Sequence, residues 1–263
     1  MSNNALAGFE ETQFTYNGKM RTVFRGGAGP GVVVIHEIPG ITPLVAAFGR
    51  RVVDEGFTVA MPVLAGTPGK AMSLPYVVSS FGPVCVSKEF RAWATNSTSP
   101  VIEWLRALAR DLHESAGGPG VGAVGMCFSG GFALAMSVDE AMRAPVLSQP
   151  SMPFPVGKKR TRDLGISDAD LAIVKARDDF CMMALRFSED RAVPDARWKR
   201  YQEEFGDRLI AVDIDSSKGN PHGIGKMSHS VLTEHLVDEP GHPTSDALER
   251  VLQFFKDRLK GGA

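Results

Sequence analysis

The sequence predicts an α/β protein built on one mostly parallel sheet with helices on both faces. Two observations carry this. Short apolar, β-branched runs alternate with stretches of helical periodicity along most of the chain, the pattern of repeated βα units. The run GVVVIHE at residues 31–37 is apolar without alternation over its first five positions, as a strand covered on both faces requires. At 263 residues, with 43% hydrophobic and 22% charged content, the chain has ample material for a buried core. With no internal repeat and no low-complexity linker, residues 1–263 read as a single domain.

The elements follow in order. Gln13 to Tyr16 and Met20 to Arg25 read as strands joined through Asn17-Gly18, a strong hairpin signal. After a glycine-rich turn comes the strand in GVVVIHE. Leu44 to Gly56 has apolar residues at helical spacing and stops on glycine, so a helix is expected there. Phe57 to Pro62 reads as a second buried strand. From Leu64 to Ser97, Gly, Pro and Ser are frequent and Phe81, Phe90 and Trp93 are scattered, which predicts an irregular or partly helical excursion of the kind that lines a site. Pro100 to Ser115 reads as a helix, with Val101, Trp104, Leu105, Leu108 and Leu112 on one face. A strand is expected at Val121 to Met126, a helix from Gly130 to Met142 and a strand at Pro145 to Ser148. A second weak region, Gln149 to Ala176, precedes the strand Cys181 to Phe187. The series closes with the helix Pro194 to Phe205, the strand Arg208 to Ile214 and the helix Thr244 to Leu259.

Composition narrows the function. Formal net charge is -1 and no basic run exceeds Lys158-Lys159-Arg160, so a nucleic-acid partner is not expected. The start, MSNNALAGFEETQF, lacks a basic segment followed by an apolar one, and no window of about 18 apolar residues occurs. A cytoplasmic protein without membrane attachment is the expectation. Cys85, Cys127 and Cys181 are odd in number, widely spaced and without a CxxC pair, so reduced thiols are expected rather than a disulfide framework or zinc knuckle. For Cys85 and Cys181 the role of small buried hydrophobes suffices.

Several motifs dissolve on inspection. Gly120 to Gly125 spells GxGxxG, but a dinucleotide fingerprint needs its glycines after a strand, and these lead into one. His36-Glu37 begins like a zincin motif, yet Gly40 stands where the second histidine belongs and Pro39 breaks the helix. His222, His229, His235 and His242 have no tight ligand spacing and no nearby cysteine, so no metal and no cofactor are expected.

The stretch GMCFSGG, Gly125 to Gly131, differs because its context fits a reaction. A nucleophile on a strand-to-helix turn sits in strained backbone and needs small residues around it so that strand and helix can pass closely. Cys127 would then project at the C-terminal edge of the sheet, where a helix N-terminus favours negative charge on sulfur. The Phe128 N–H would face a developing oxyanion. The alternative is a buried structural cysteine. In such an architecture the acid and then the histidine follow in later loops. Asp190, after the strand Cys181 to Phe187, and either His222 or His229, after Arg208 to Ile214, stand in that order.

With these pieces the chain resembles the dienelactone hydrolase family of α/β hydrolases, from about Phe14 to Leu259. The resemblance rests on VVVIHEIPGIT, GMCFSGG, SEDRAVP and MSHSVL. It implies an α/β-hydrolase fold and a triad of Cys127, Asp190 and His229, the last preferred to His222 because Ser230 follows it. It implies further that Glu37 interacts with the thiol at rest and that the Ile38 N–H joins Phe128 in the oxyanion hole; the alternative for Glu37 is a solvated loop carboxylate. Two departures stand out. Ser129 occupies a position that is usually glycine, and Thr233 stands where the dienelactone enzymes carry an arginine that binds the substrate carboxylate. Arg91, in the 64–97 excursion, is a candidate carboxylate clamp, with a solvated surface arginine as the alternative.

The expectation is thus a hydrolase that cleaves an ester or lactone of a small molecule through an acyl-cysteine, acting as a monomer or weak homodimer. A thioesterase or acyltransferase with the same triad, and a homologue that binds a small ligand without catalysis, are the alternatives.

Overall fold

A computed structural model of the chain describes residues 4–261; residues 1–3 and 262–263, the extremities of the expected domain, lie outside the described residues. The fold starts with a hairpin of β1 (Glu10–Tyr16) and β2 (Lys19–Gly27). Asn17 and Gly18 between them have φ of 48° and 71°, the left-handed pair that a two-residue hairpin turn demands. Next come β3 (Gly31–Ile35), α1 (Pro43–Asp54) and β4 (Thr58–Pro62). Thr42 starts α1 by accepting the Val45 N–H on its hydroxyl at 3.3 Å, with Pro43 in the first turn where no N–H is needed.

The excursion after β4 contains α2 (Leu74–Val86), and α3 (Val101–Ala116) follows it. Tyr76, Ser80 and Val84 recur at helical spacing and turn α2 onto the core, while Leu74, Val78, Phe81 and Val86 stay exposed. This uncharged, apolar outer face is why residues 64–97 show no amphipathic signal. Then come β5 (Val121–Met126), the short α4 (Phe132–Met136) and β6 (Met142–Ser148). The weak region holds α5 (Lys158–Arg162) and α6 (Asp168–Lys175). β7 (Met182–Phe187), α7 (Asp195–Phe205), β8 (Leu209–Ile214) and α8 (Pro243–Leu259) complete the fold.

One expected element is corrected: the helix expected from Gly130 to Met142 ends at Met136, and β6 starts at Met142 rather than Pro145. Asp139 is the physical reason. Its carboxylate accepts the Ala141 N–H at 3.0 Å and an Arg110 hydrogen bond, and its carbonyl accepts the Met142 N–H at 3.1 Å, which closes a turn. Arg177 then takes the Ser137 and Asp139 carbonyls, each at 2.9 Å, satisfying the groups the terminated helix leaves open.

The eight strands form one sheet in the order β1-β2-β4-β3-β5-β6-β7-β8. β1, β2 and β4 pair antiparallel, and every neighbour from β4 through β8 is parallel. Side chains alternate between two cores: Val33, Ile35, Val121 and Ala123 pack against α3, α4 and α7 on one face. Val32, Val34, Val124 and Met126 pack against α1 and α8 on the other. Burial on both sides accounts for the unbroken apolar runs. β5 lies centrally between β3 and β6, so the loops after β3, β5 and β6 converge at the C-terminal edge, with those after β7 and β8 alongside. Among the described residues no helix is long and apolar enough to cross a membrane.

Candidate active site

The chain leaves β5 at Met126 and turns at once into a single 3-10 turn, Cys127–Ser129. Cys127 has φ of 56°, a left-handed conformation that a non-glycine residue adopts at an energetic cost. Its neighbours are small for steric reasons. A Cβ on Gly125 would lie 2.1 Å from the Ser129 carbonyl oxygen, and one on Gly130 2.5 Å from Pro150 Cα. The Cys127 carbonyl accepts N–H groups from Gly130 at 2.9 Å and Ser151 at 3.0 Å, which fixes the corner.

Ser129, the departure from glycine, is fully buried. Its hydroxyl accepts the Met126 N–H at 2.9 Å and lies 2.9 Å from the Ile35 carbonyl and 3.1 Å from that of His36. The larger residue therefore staples the elbow to the end of β3. With its hydroxyl so engaged and no exposure to solvent, Ser129 is not available as a nucleophile.

Asp190 follows β7 and is buried; one oxygen accepts the Ala192 N–H at 2.9 Å and the other lies 2.7 Å from His229 Nδ1. His229 sits in the long loop between β8 and α8, a quarter exposed. Burial opposes charge on its ring, but the nearby Cys127 sulfur and the Asp190 carboxylate outweigh that and hold its pKa well above the ordinary value. With Nδ1 on Asp190, Nε2 is left for the sulfur. The residues at positions 127, 190 and 229 thus meet. His222 stays exposed and packs its ring on His242 at 5.4 Å, away from this group.

Glu37 is buried, not solvated, and three donors converge on it. Ser230 Oγ donates at 2.6 Å and Gln149 Nε2 at 3.4 Å to one oxygen, and Thr233 Oγ1 donates to the other. Ile38 is the next residue; among the described residues no acceptor takes its backbone N–H. His36 is fully buried beneath this loop. Its Nε2 accepts the Leu64 and Ala65 N–H groups at 3.0 and 3.2 Å, so the proton sits on Nδ1 and is donated to the Glu37 carbonyl at 2.7 Å. Burial pushes its pKa down to about 4, against a smaller upward pull from the Glu37 carbonyl, so the ring is neutral.

Arg91 lies on an exposed turn with φ of 47°, its guanidinium hydrogen-bonded to Ser97. It lines a small cavity with Phe128, Phe132 and Met152, and makes no hydrogen bond to Cys127, His229 or Glu37 among the described residues. A second cleft, about 360 Å³, opens beside Asp190 and is lined by Glu189, Arg191, Lys226 and Met227. Burial pushes the Cys85 and Cys181 thiols up. Among the described residues no group of three or more His, Cys, Asp or Glu side chains is arranged to hold a metal ion.

Sequence reasoning missed four residues here. Ser151 Oγ lies 3.5 Å from Cys127 Sγ, and Gln149, Ser230 and His36 shape the surroundings of Glu37. Gln149 and Ser151 follow β6, whose neighbour is the strand carrying Cys127, so their position past a parallel strand end was the available signal. Arg197 of α7, fully buried, braces that loop by donating to the Pro150 carbonyl at 2.9 Å and to the Pro153 carbonyl.

A profile of the dienelactone hydrolase family matches residues 21–259. Among solved structures, a Klebsiella pneumoniae protein provisionally assigned as a dienelactone hydrolase is 16% identical, with a TM-score of 0.65 over 94% of this chain and 97% of its own. The dienelactone hydrolase of Anabaena variabilis is 15% identical, with a TM-score of 0.61 over 96% and 99%. A dienelactone hydrolase-like promiscuous phosphotriesterase from metagenomic libraries is 14% identical, with a TM-score of 0.61 over 95% and 98%. At such identities the likeness is one of fold. No curated protein matches the chain at a significant level.

Proposed function

The chain belongs to the dienelactone hydrolase family, and on that premise we propose that it cleaves an ester or lactone of a small molecule through a covalent acyl-cysteine. The observation that carries this reading is the left-handed Cys127 at the end of β5, beside a histidine that Asp190 orients at 2.7 Å.

Cys127 gives its proton to His229 Nε2, and the sulfur attacks the substrate carbonyl carbon. The carbonyl π electrons move to oxygen, and the N–H groups of Ile38 and Phe128 stabilise that oxyanion by about 3 to 4 kcal/mol for each donor. Collapse of the intermediate breaks the C–O bond, and His229 hands its proton to the departing alkoxide. A water then loses a proton to His229, attacks the thioester carbonyl and displaces the sulfur, which releases the acid. Asp190 holds the ring with Nδ1 protonated and balances its charge. Sulfur is a good leaving group and a weak base, so activated carbonyls such as enol lactones and aryl esters are favoured over amides.

Thr233 bears on the substrate. Its hydroxyl is spent on Glu37 and carries no charge, so it offers no cation to a substrate carboxylate where the family's dienelactone enzymes have an arginine. Uncharged substrates are therefore favoured over carboxylated lactones. The test is turnover of aryl esters, enol lactones, a carboxylated dienelactone and thioesters by wild type and by Cys127→Ala. Hydrolysis of the neutral esters that vanishes in the variant supports the proposal. Turnover of thioesters alone would move the reading to a thioesterase, and absence of turnover on the whole panel would move it to a ligand-binding homologue.

A further inference from the structure

A carboxylate that takes a thiol's proton must be within hydrogen-bonding reach of the thiol. In this chain both oxygens of Glu37 are engaged by other side chains, which together fill three of its roughly four acceptor sites. Oε2 accepts the Ser230 hydroxyl at 2.6 Å and the Gln149 amide at 3.4 Å, and Oε1 accepts the Thr233 hydroxyl. Glu37 is 1% exposed, so these side chains rather than bulk solvent set its position. The Cys127 sulfur instead lies 3.5 Å from the Ser151 hydroxyl, with the His229 ring beside it. Among the described residues it makes no hydrogen bond to Glu37.

The donors on Glu37 come from different parts of the chain. Ser230 and Thr233 belong to the loop that carries His229, and Gln149 to the loop after β6 that carries Ser151. Gln149 has φ of 38°, so its backbone is held in the left-handed region. Its side-chain oxygen accepts the Val231 N–H at 3.3 Å and the Ser148 hydroxyl, which orients the amide so that its NH2 faces Glu37. Glu37 itself sits between His36, pinned under the β4 exit, and Ile38 with its unpaired N–H. One buried carboxylate thereby fastens the loop bearing an oxyanion donor to the loop bearing the general base.

We propose that Glu37 is a positioning strut, held by Ser230, Thr233 and Gln149, and that His229 alone takes the Cys127 proton in the resting enzyme. The step moves one proton from Sγ to Nε2 and leaves a thiolate beside an imidazolium, with no change in oxidation state. This rests on Cys127 being the nucleophile. Thr233 acquires a role of its own: its neutral hydroxyl holds the carboxylate in place, and among the described residues no cationic side chain hydrogen-bonds to Glu37.

The experiment is alkylation of Cys127 by iodoacetamide as a function of pH, together with steady-state ester hydrolysis, in wild type, Glu37→Gln, His229→Gln, Thr233→Val and Thr233→Ser. Expected is an alkylation profile whose midpoint in Glu37→Gln stays at the wild-type pH or falls below it, because removing a nearby negative charge favours thiolate. His229→Gln should move that midpoint upward. Thr233→Val, close in shape to threonine, should lower kcat on the order of tenfold or more through loosened registration of the loops. Thr233→Ser, which restores the donor, should recover most of it. An upward move of the midpoint in Glu37→Gln as large as that in His229→Gln would overturn the proposal, since Glu37 would then be the thiol's base. Equal kcat in Thr233→Val and wild type would overturn the strut. Failure of the underlying reading looks different: Cys127 would then react no faster than Cys85 and Cys181 in every variant, including wild type.

Discussion

Acidification offers a quantitative test of the support beneath the candidate oxyanion loop. His36 is fully buried, and its Nε2 is the shared acceptor for the Leu64 and Ala65 N–H groups. Protonation puts hydrogen on both ring nitrogens, so that acceptor is lost and a charge is stranded in the core. Its pKa falls from 6.5 to about 4 on folding. Above pH 6.5 the ring is neutral folded and unfolded, and the full stability of the native packing is present. As pH drops from 6.5 towards 4 the unfolded chain binds a proton that the folded chain refuses, so stability declines; below about 4 both states carry it and the decline stops. At about 1.4 kcal/mol for each pH unit the whole interval corresponds to about 3 kcal/mol, of which about 2.5 kcal/mol is lost by pH 4.5.

Carboxylates titrate over part of the same range, so the informative quantity is the difference between wild type and His36→Gln. The variant keeps an acceptor but no titrating ring. Urea unfolding of both proteins at pH 7.5, 6.0, 5.0 and 4.5 reads that difference. At pH 7.5 the variant should be the less stable, by about 1 to 3 kcal/mol for an imperfectly replaced buried hydrogen bond. By pH 4.5 wild type should have lost about 2.5 kcal/mol more than the variant has. Stability curves that run parallel across this range, or a wild type that gains on the variant in acid, would refute the neutral, doubly accepting His36.

Further expectations follow from single geometries. Limiting iodoacetamide at neutral pH should label Cys127 ahead of Cys85 and Cys181, whose thiols burial pushes up; peptide mass spectrometry that finds equal labelling would count against the elbow. Gly130→Ala should destabilise strongly, because its Cβ would lie 2.5 Å from Pro150 Cα and the backbone on both sides must move; a thermal midpoint within a degree or two of wild type would contradict that contact. His229→Ala should remove ester turnover while His222→Ala, on an exposed loop, keeps most of it, and the reverse result would move the general base to His222.

What the sequence disclosed depended on how local the physics is. The strands of the parallel sheet were legible because burial on both faces forces continuous apolar runs, and the elbow because the steric demands around Cys127 fall on Gly125 and Gly130 within a few residues. The order in which loops leave successive strands pointed to Asp190 and to either His222 or His229; the resemblance preferred His229, and it is His229 that lies 2.7 Å from Asp190. The end of α4 was not, since helical periodicity continues past Met136 and only the side chains of Asp139, Arg110 and Arg177 stop it. α2 hid because its outer face is apolar. The surroundings of Glu37 were out of reach for a deeper reason: Gln149, Ser230 and Thr233 are ordinary polar residues until the fold brings them to one carboxylate. Sequence likeness implied that Glu37 attends the thiol, whereas its hydrogen bonds run to these three side chains.

The acyl-cysteine is the most directly testable species of the proposed reaction. Wild type mixed with excess aryl acetate, quenched in acid during turnover and digested, should yield the peptide carrying Cys127 heavier by one acetyl group. His229→Ala should trap more of any adduct that forms, because its water is not activated. The label should lie on Cys127 and be absent from Cys127→Ala. Continued turnover with the label on another residue, or steady hydrolysis by Cys127→Ala, would contradict an acyl-cysteine mechanism.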